Sequence, residues 1–519
     1  MSEEPRSPSL SEVQTNLSPF EMRFERYRRT AGLLLGPLGF ILLEVFSPAG
    51  LSVACAHLTA VLVWVLIWWI CEAVPLPVTA LLGPVLVVLL GVASVREAMA
   101  PFADPVIFLF LGGFVIAEGM SVHGLDRRIA RWVLGSRWTG AGPLRVTAAF
   151  AVIAAGLSMW LSNSVTTAML YPMAIGVLGA INHRGLGTDL LAVKHRTPKL
   201  ANGLLLSCAY AASIGGVCTP IGTPPNLIAI GYLDNLANRR IDFFSWMAIC
   251  LPITLLMLVG MLLIIKILHS PGLAESPSVD VHVTDGSCGA GPWSKGERNV
   301  TVAFGLAVTL WLLPGICALF VGTSHPTYIC LQSMLPEGGV AIVAATLLFV
   351  LPVEWSQRTF TLTWAQVARI DWGTLILFGG GLSLGGMMFK TGLAEKIGLA
   401  LVQGSGATSL VALTIVFTSF AVFFTEVVSN TATATMLVPL AISAAQTAGV
   451  SPVEPALGCA LGCSMAFMFP VATPPNAIIY GSGAVRITTM IKTGWWLNLW
   501  ACIVISLSVL VIVPLVLGR

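Results

Sequence analysis

Residues 162–172 read SNSVTTAMLYP, and residues 429–439 read SNTATATMLVP. Six of the eleven positions hold the same residue: Ser162/Ser429, Asn163/Asn430, Thr166/Thr433, Met169/Met436, Leu170/Leu437 and Pro172/Pro439. A second phrase follows each of them, TPPNLIAIG from Thr223 and TPPNAIIYG from Thr473. All four lie inside apolar sequence. Hydroxyls, carboxamides and prolines are poor membrane residues unless they line a cavity. Interruptions at corresponding places in two halves of a chain point to a transporter's binding site.

The surrounding sequence has the composition of a membrane protein. Of 519 residues, 56% are hydrophobic and 10% charged, with a mean hydropathy of +0.88. A soluble domain carries about a quarter charged residues, so the chain reads as an all-α polytopic membrane protein and not as a soluble enzyme. A net charge of +3 implies no nucleic-acid partner. The eleven cysteines show neither metal-ligand spacing nor a disulfide framework. Residues 1–29 are polar, lack a signal-peptide core and are expected to be a cytoplasmic segment.

Eleven apolar segments are long enough to cross a bilayer. They lie near 30–47, 51–71, 75–93, 105–122, 199–232, 241–268, 300–320, 338–353, 371–389, 454–483 and 493–517. Two more stretches, 144–181 and 409–446, each hold a Ser-Asn phrase at a polar centre. They are expected to be re-entrant hairpins; the competing reading is a pair of ordinary helices with a polar kink. With the N-terminus in the cytoplasm, only Arg96, Arg239, Arg240, Lys390, Lys396 and Arg519 of the 27 basic residues fall outside. This obeys the positive-inside rule and puts the C-terminus outside. The count is the same for both readings of the hairpins. Short outer loops without an Asn-x-Ser/Thr sequon favour a bacterial inner membrane.

The repeat extends beyond the phrases. FLGGFVIAEGMSVHGL (110–125) aligns with FGGGLSLGGMMFKTGL (378–393). Phe110 is on a segment running inward and Phe378 on one running outward, so the repeats are antiparallel. The expected organisation is scaffold helices at 30–122 and 300–389 and interfacial helices at 125–135 and 393–405. The hairpins, broken helices and following helices occupy 144–268 and 409–517. A cytoplasmic linker rich in Ser, Gly and Pro covers 269–299.

A Ser-Asn tip exposes backbone carbonyls and an amide oxygen, which are hard ligands suited to a hard cation. The half-helix starting after it aims N–H groups and a partial positive charge at the same gap, where an anion can sit. Asn163, Ser164, Asn430 and Thr431 can donate to a carboxylate. The two prolines after each Thr remove donors and free upstream carbonyls. Gly222 and Ala472 allow close backbone approach, and Thr223 and Thr473 offer hydroxyls. Ser158 and Thr425 stand four residues before Ser162 and Ser429, on the same helical face. Glu426 is either functional or a cap for hairpin amides. Glu72, Glu118 and His123 read as interfacial, and many of the tryptophans as an aromatic belt.

The doubled SN[ST]…TPPN pattern in antiparallel repeats resembles the divalent anion:sodium symporter family, over about residues 30–517. The resemblance implies a homodimeric elevator-type transporter that co-transports Na+ with di- or tricarboxylates. It implies one sodium site at Ser158, Ser162, Asn163 and Gly222, and a second at Thr425, Ser429, Asn430 and Ala472. Substrate carboxylates would meet Asn163, Ser164, Thr223, Asn430, Thr431, Thr473 and Pro474. Ser164 stands where the family usually has Thr. The leading expectation is sodium-driven symport of C4-dicarboxylates (succinate, fumarate, malate) across the plasma membrane. Sodium-independent organic-anion exchange, sulfate or other oxyanion transport, tricarboxylate transport, and a channel or sensor are the alternatives.

Overall fold

The computed structural model describes residues 19–46, 51–134, 143–181, 198–269 and 291–518. It is helical throughout, apart from a two-stranded hairpin pairing Pro352–Glu354 with Thr359–Phe360. Six helices among the described residues are long and apolar enough to cross a membrane, or seven if a bent pair counts as one. That pair, Pro326–Met334 and Glu337–Val350, turns by 50° at Pro336, which sits at the N-cap of the second helix. Large apolar side chains face outward, among them Leu89, Ile267 and Phe320. This inverted surface is what a lipid-facing chain requires, and the protein is a multi-pass membrane protein.

Each of the eleven expected segments contains a helix. The first runs from Pro19 to Val45, so it takes in polar residues assigned by sequence to the tail. The segments expected to be interfacial are helical, over Leu125–Leu134 and Leu393–Ser405. Most of the 269–299 linker lies outside the described residues; the next helix starts at Lys295 behind a Ser294/Glu297 capping box.

Two of the eleven segments are broken. Pro198–Gly216 stops before Pro224–Ala237, and Val453–Cys463 stops before Pro474–Gly481. In each the second piece opens with Pro-Pro, placed where the missing N–H groups cost nothing. The Ser-Asn stretches are helix pairs, Pro143–Ser158 with Asn163–Ile181 and Leu410–Phe424 with Asn430–Thr447.

The second pair is a hairpin by its neighbours. Its first arm runs parallel to Val453–Cys463, since Gly458 meets Thr414 and Thr418 while Gly462 meets Ala421 and Val422. Its second arm ends at Thr447, six residues before Val453. Leu410, where the first arm starts, and Thr447, where the second ends, therefore lie on the same side of the molecule. This second arm packs along Pro224–Ala237 of the other half, with Tyr232 Oη donating to Thr435 O at 3.2 Å. The first pair repeats the arrangement: Ala155 meets Gly215 in its own half, and its second arm packs along Pro474–Gly481. The halves are thus interlocked, each supplying one wall for the other's hairpin.

Candidate functional site: two interrupted helices facing two hairpin tips

At each tip the Ser caps the helix that follows. Ser162 Oγ accepts from Val165 N and Ser429 Oγ from Ala432 N, both at 3.3 Å. The side chains expected among cation ligands are thereby engaged as N-caps. The next residue makes a contact repeated in both halves. Ser158 Oγ donates to Asn163 Oδ1 at 2.6 Å, and Thr425 Oγ1 donates to Asn430 Oδ1 at 2.7 Å. Ser158 and Thr425 are wholly buried, whereas Asn163, Ser164, Asn430 and Thr431 are half-buried. In the first half the pairing holds the Asn163 oxygen against Gly216, at the break.

The asparagines of the Pro-Pro-Asn phrases, which sequence reading left without a role, close the breaks. Asn226 Nδ2 donates to Gly216 O (3.0 Å) and Thr219 O (2.7 Å). Asn476 Nδ2 donates to Ala466 O and Phe469 O, both at 3.1 Å. In both halves the acceptors lie ten and seven residues upstream, so one clamp is built twice. The Oδ1 atoms of Asn226 and Asn476 are buried without a partner, as is Thr473 Oγ1. Thr223 and Thr473 occupy N-cap positions with extended backbone (φ −151° and −144°) but make no side-chain cap bond. Their hydroxyls are not consumed by the fold in that role. Pro474 is exposed at the same edge.

The first break gathers oxygens. A Cβ on Gly222 would collide with Gly216 O and lie 2.9 Å from Ser158 O and 3.0 Å from Met159 O. A Cβ on Gly216 would collide with Asn163 Oδ1. Only glycine leaves room for three carbonyls and an amide oxygen from three chain segments to converge. Thr219 Oγ1 donates to Met159 O and ties the tip to the break. No group of three or more His, Cys, Asp or Glu side chains converges among the described residues, so these oxygens are neutral. Neutral hard oxygens suit a monovalent alkali cation, whereas divalent ions generally recruit carboxylates.

The second break is built differently. Ala466 and Ala472 stand where the first has Gly216 and Gly222, and Thr425 Oγ1 also reaches Cys463 O at 2.8 Å. Glu426 occupies the place of Met159. Its Oε1 accepts from Phe467 N (2.7 Å), Met468 N (2.9 Å) and Asn498 Nδ2 (2.7 Å). Its Oε2 accepts from Met468 N (3.0 Å) and Phe469 N (3.1 Å). The sequence left Glu426 between a functional role and capping of hairpin amides. The structure has it capping the unwound segment of the broken helix instead, because the break frees three consecutive N–H groups that need an acceptor.

Glu72 is ion-paired to Arg28 at 3.4 Å. His123 Nε2 contacts Thr361 O at 2.7 Å. Both residues lie at helix ends, away from the tips.

Inverted repeats, paired hairpins and broken helices facing one another define an all-helical membrane transporter. The profile of the sodium:sulfate symporter transmembrane region matches residues 33–517, and the chain belongs to that family, the divalent anion:sodium symporters. It is 33% identical over 490 residues to the sodium-dependent dicarboxylate transporter SdcS of Staphylococcus saprophyticus, covering 94% of this chain and 92% of the relative. It is equally similar to SdcS of Staphylococcus aureus strain bovine RF122, at 33% over 492 residues with the same coverage. Among solved structures, the YdaH transporter of Alcanivorax borkumensis superposes with a TM-score of 0.52 at 16% identity, over 81% of this chain and 86% of that one. This likeness concerns the fold.

Proposed function

We propose that the protein is a secondary active transporter that couples inward movement of sodium to uptake of C4-dicarboxylates such as succinate, fumarate and malate. The observation that carries this reading is the framework built twice around neutral oxygens, each opening onto half-buried donors. The first break supplies Ser158 O, Met159 O, Gly216 O and Asn163 Oδ1 to one cation. Thr425, Asn430 and Ala472 border the place of a second. Substrate carboxylates sit between the tips, against Asn163, Ser164, Asn430 and Thr431, with Thr223 and Thr473 at the edge. Two dicarboxylate transporters among the relatives support the substrate class.

The site holds no Lys or Arg in either tip or either Thr-Pro-Pro-Asn phrase. Positive charge for the anion therefore comes from helix N-termini and bound sodium. Each negative charge moving inward against 100 mV costs about 2.3 kcal/mol, which more sodium ions than substrate charges would reverse. The hairpins, the broken helices and the helix that follows each of them (144–268 and 409–517) form the moving unit of an elevator. The helices of 30–122 and 300–389 form a static scaffold and the interface of a homodimer. The N-terminus is cytoplasmic in a bacterial inner membrane, as the distribution of basic residues favours, and three contacts support the grouping of the loops into two sides. Lys390–Glu97, Asn235–Asp104 and Arg128–Glu297 each join residues assigned to one side.

Uptake of labelled succinate into proteoliposomes, with sulfate and citrate as competitors, tests the proposal. Uptake is expected only with an inward sodium gradient. Equal uptake in potassium or choline would overturn the coupling; preferential competition by sulfate would replace the substrate.

A further inference from the structure

We propose that Tyr210 is a positioning residue that couples the two cation sites, so that filling the first organises the second. This rests on the sodium-symport reading above. The carbonyl six residues before each Thr-Pro-Pro-Asn threonine needs a donor, because the helix is broken there. In the first half this is Val217 O, and Trp246 Nε1 from the next helix of the same half donates to it at 3.0 Å. In the second half it is Phe467 O. The residue matching Trp246 is Trp496, about half exposed and on the final helix. The donor is instead Tyr210 Oη of the first half, at 2.8 Å. The brace is local in one half and crosses the repeat in the other.

Tyr210 is fully buried. Its ring meets the Phe467 ring edge-on, with centroids 5.1 Å apart. It lies six residues before Gly216, on the helix whose last carbonyl belongs to the first oxygen cluster. Six residues are about 9 Å of helix, so a shift at Gly216 reaches Tyr210 through one rigid element. At the far end the peptide of Phe467 is gripped on both sides. Glu426, next to Thr425, takes its N–H, and Tyr210 supplies a donor to its carbonyl. Asn476 holds the carbonyls of Ala466 and Phe469 on either side. A displacement of Tyr210 is therefore delivered to the segment that shapes the second site.

Tyr210→Phe keeps the ring and deletes the donor. In proteoliposomes, sodium activation of succinate uptake is expected to lose its sigmoidal shape. Half-saturating sodium should rise by about fivefold, near 1 kcal/mol. Half-saturating succinate at saturating sodium should stay within about twofold, because Tyr210 touches no substrate group. A merely structural role would lower melting temperature and maximal rate without reshaping the curve. Normalised curves that superimpose, with uptake by the unmodified protein still sodium-dependent, overturn this inference alone. Sodium-independent uptake by the unmodified protein overturns it together with the proposed function.

A second measurement does not require the Tyr210 variant to fold. Gly222→Ala blocks the first cluster. Hydrogen exchange of the amides of 467–469 and 471–473 in the full-length protein should then lose its sodium-dependent protection. Protection that persists unchanged also overturns the coupling.

Discussion

The two halves are alike where they make the site and unlike in what holds it. Both cap the tip helix with Ser, hold an Asn oxygen with a buried hydroxyl and clamp the break with a second Asn at ten and seven residues. The first half then relies on absent side chains: Gly216 and Gly222 let backbone oxygens converge. The second keeps Ala466 and Ala472, and stabilises its wider segment with the Glu426 carboxylate and with Tyr210 from the opposite half. On the proposed function, the duplicated contacts are those that present oxygens to a ligand. The unshared ones are supports, free to differ because many donors can hold a backbone in place.

The comparison breaks most visibly at Glu426. Glu426→Met gives the second half the residue of the first and strands three backbone N–H groups and the Asn498 amide. Each buried orphan costs roughly 1–3 kcal/mol, so loss of uptake and a large fall in melting temperature are expected. Met159→Glu, which adds a carboxylate to a break already tied by Thr219 and Asn226, should not compensate. A Glu426→Met protein with normal stability and transport would mean that the carboxylate is dispensable to the break.

Next in size are the paired clamps. Asn226→Ala and Asn476→Ala each remove one amide from two buried carbonyls, and each should cost about 2 kcal/mol. The Oδ1 atoms of both residues lack partners in the fold, so the lost donors set the penalty. Similar drops in thermal stability would sharpen the symmetry. A tolerated variant in one half alone would show that only one break depends on its clamp.

The smallest effect tests the short helices Leu125–Leu134 and Leu393–Ser405. Asp126 is buried to 2% exposure in the first, where the second has Ala394 at 2%. Burial raises the Asp126 carboxyl above its usual range, so the fold disfavours its anion. That cost is absent in acid and grows as pH rises through the carboxylate range to the raised folded value. Asp126→Ala should therefore give a small upward shift in melting temperature at neutral pH that closes as pH is lowered. A shift independent of pH would assign the effect to packing.

Much of this was legible in the chain because a duplicated polar phrase in apolar sequence has few structural solutions. Ser158 and Thr425 were marked by their distance from Ser-Asn, although their partner is the Asn oxygen, one residue further than the helical-face argument suggested. Asn226 and Asn476 were visible as repeated residues, but nothing in the sequence tells a clamp from a ligand. Tyr210 and Trp246 carry no local signal, since their acceptors lie 257 and 29 residues away.

The sequence by itself determined an all-helical membrane chain, the antiparallel repeat, the tips and breaks, and the side-chain chemistry available there. These follow from hydropathy, proline and short-range periodicity, which act within a few turns of one helix. Only the tertiary structure decided that the second Ser-Asn stretch returns to its starting side, that each hairpin leans on the other half, and which donor serves each freed backbone group. Those choices depend on the backbone's need for partners away from water. The groups that meet this need are brought together by packing and not by their order in the chain.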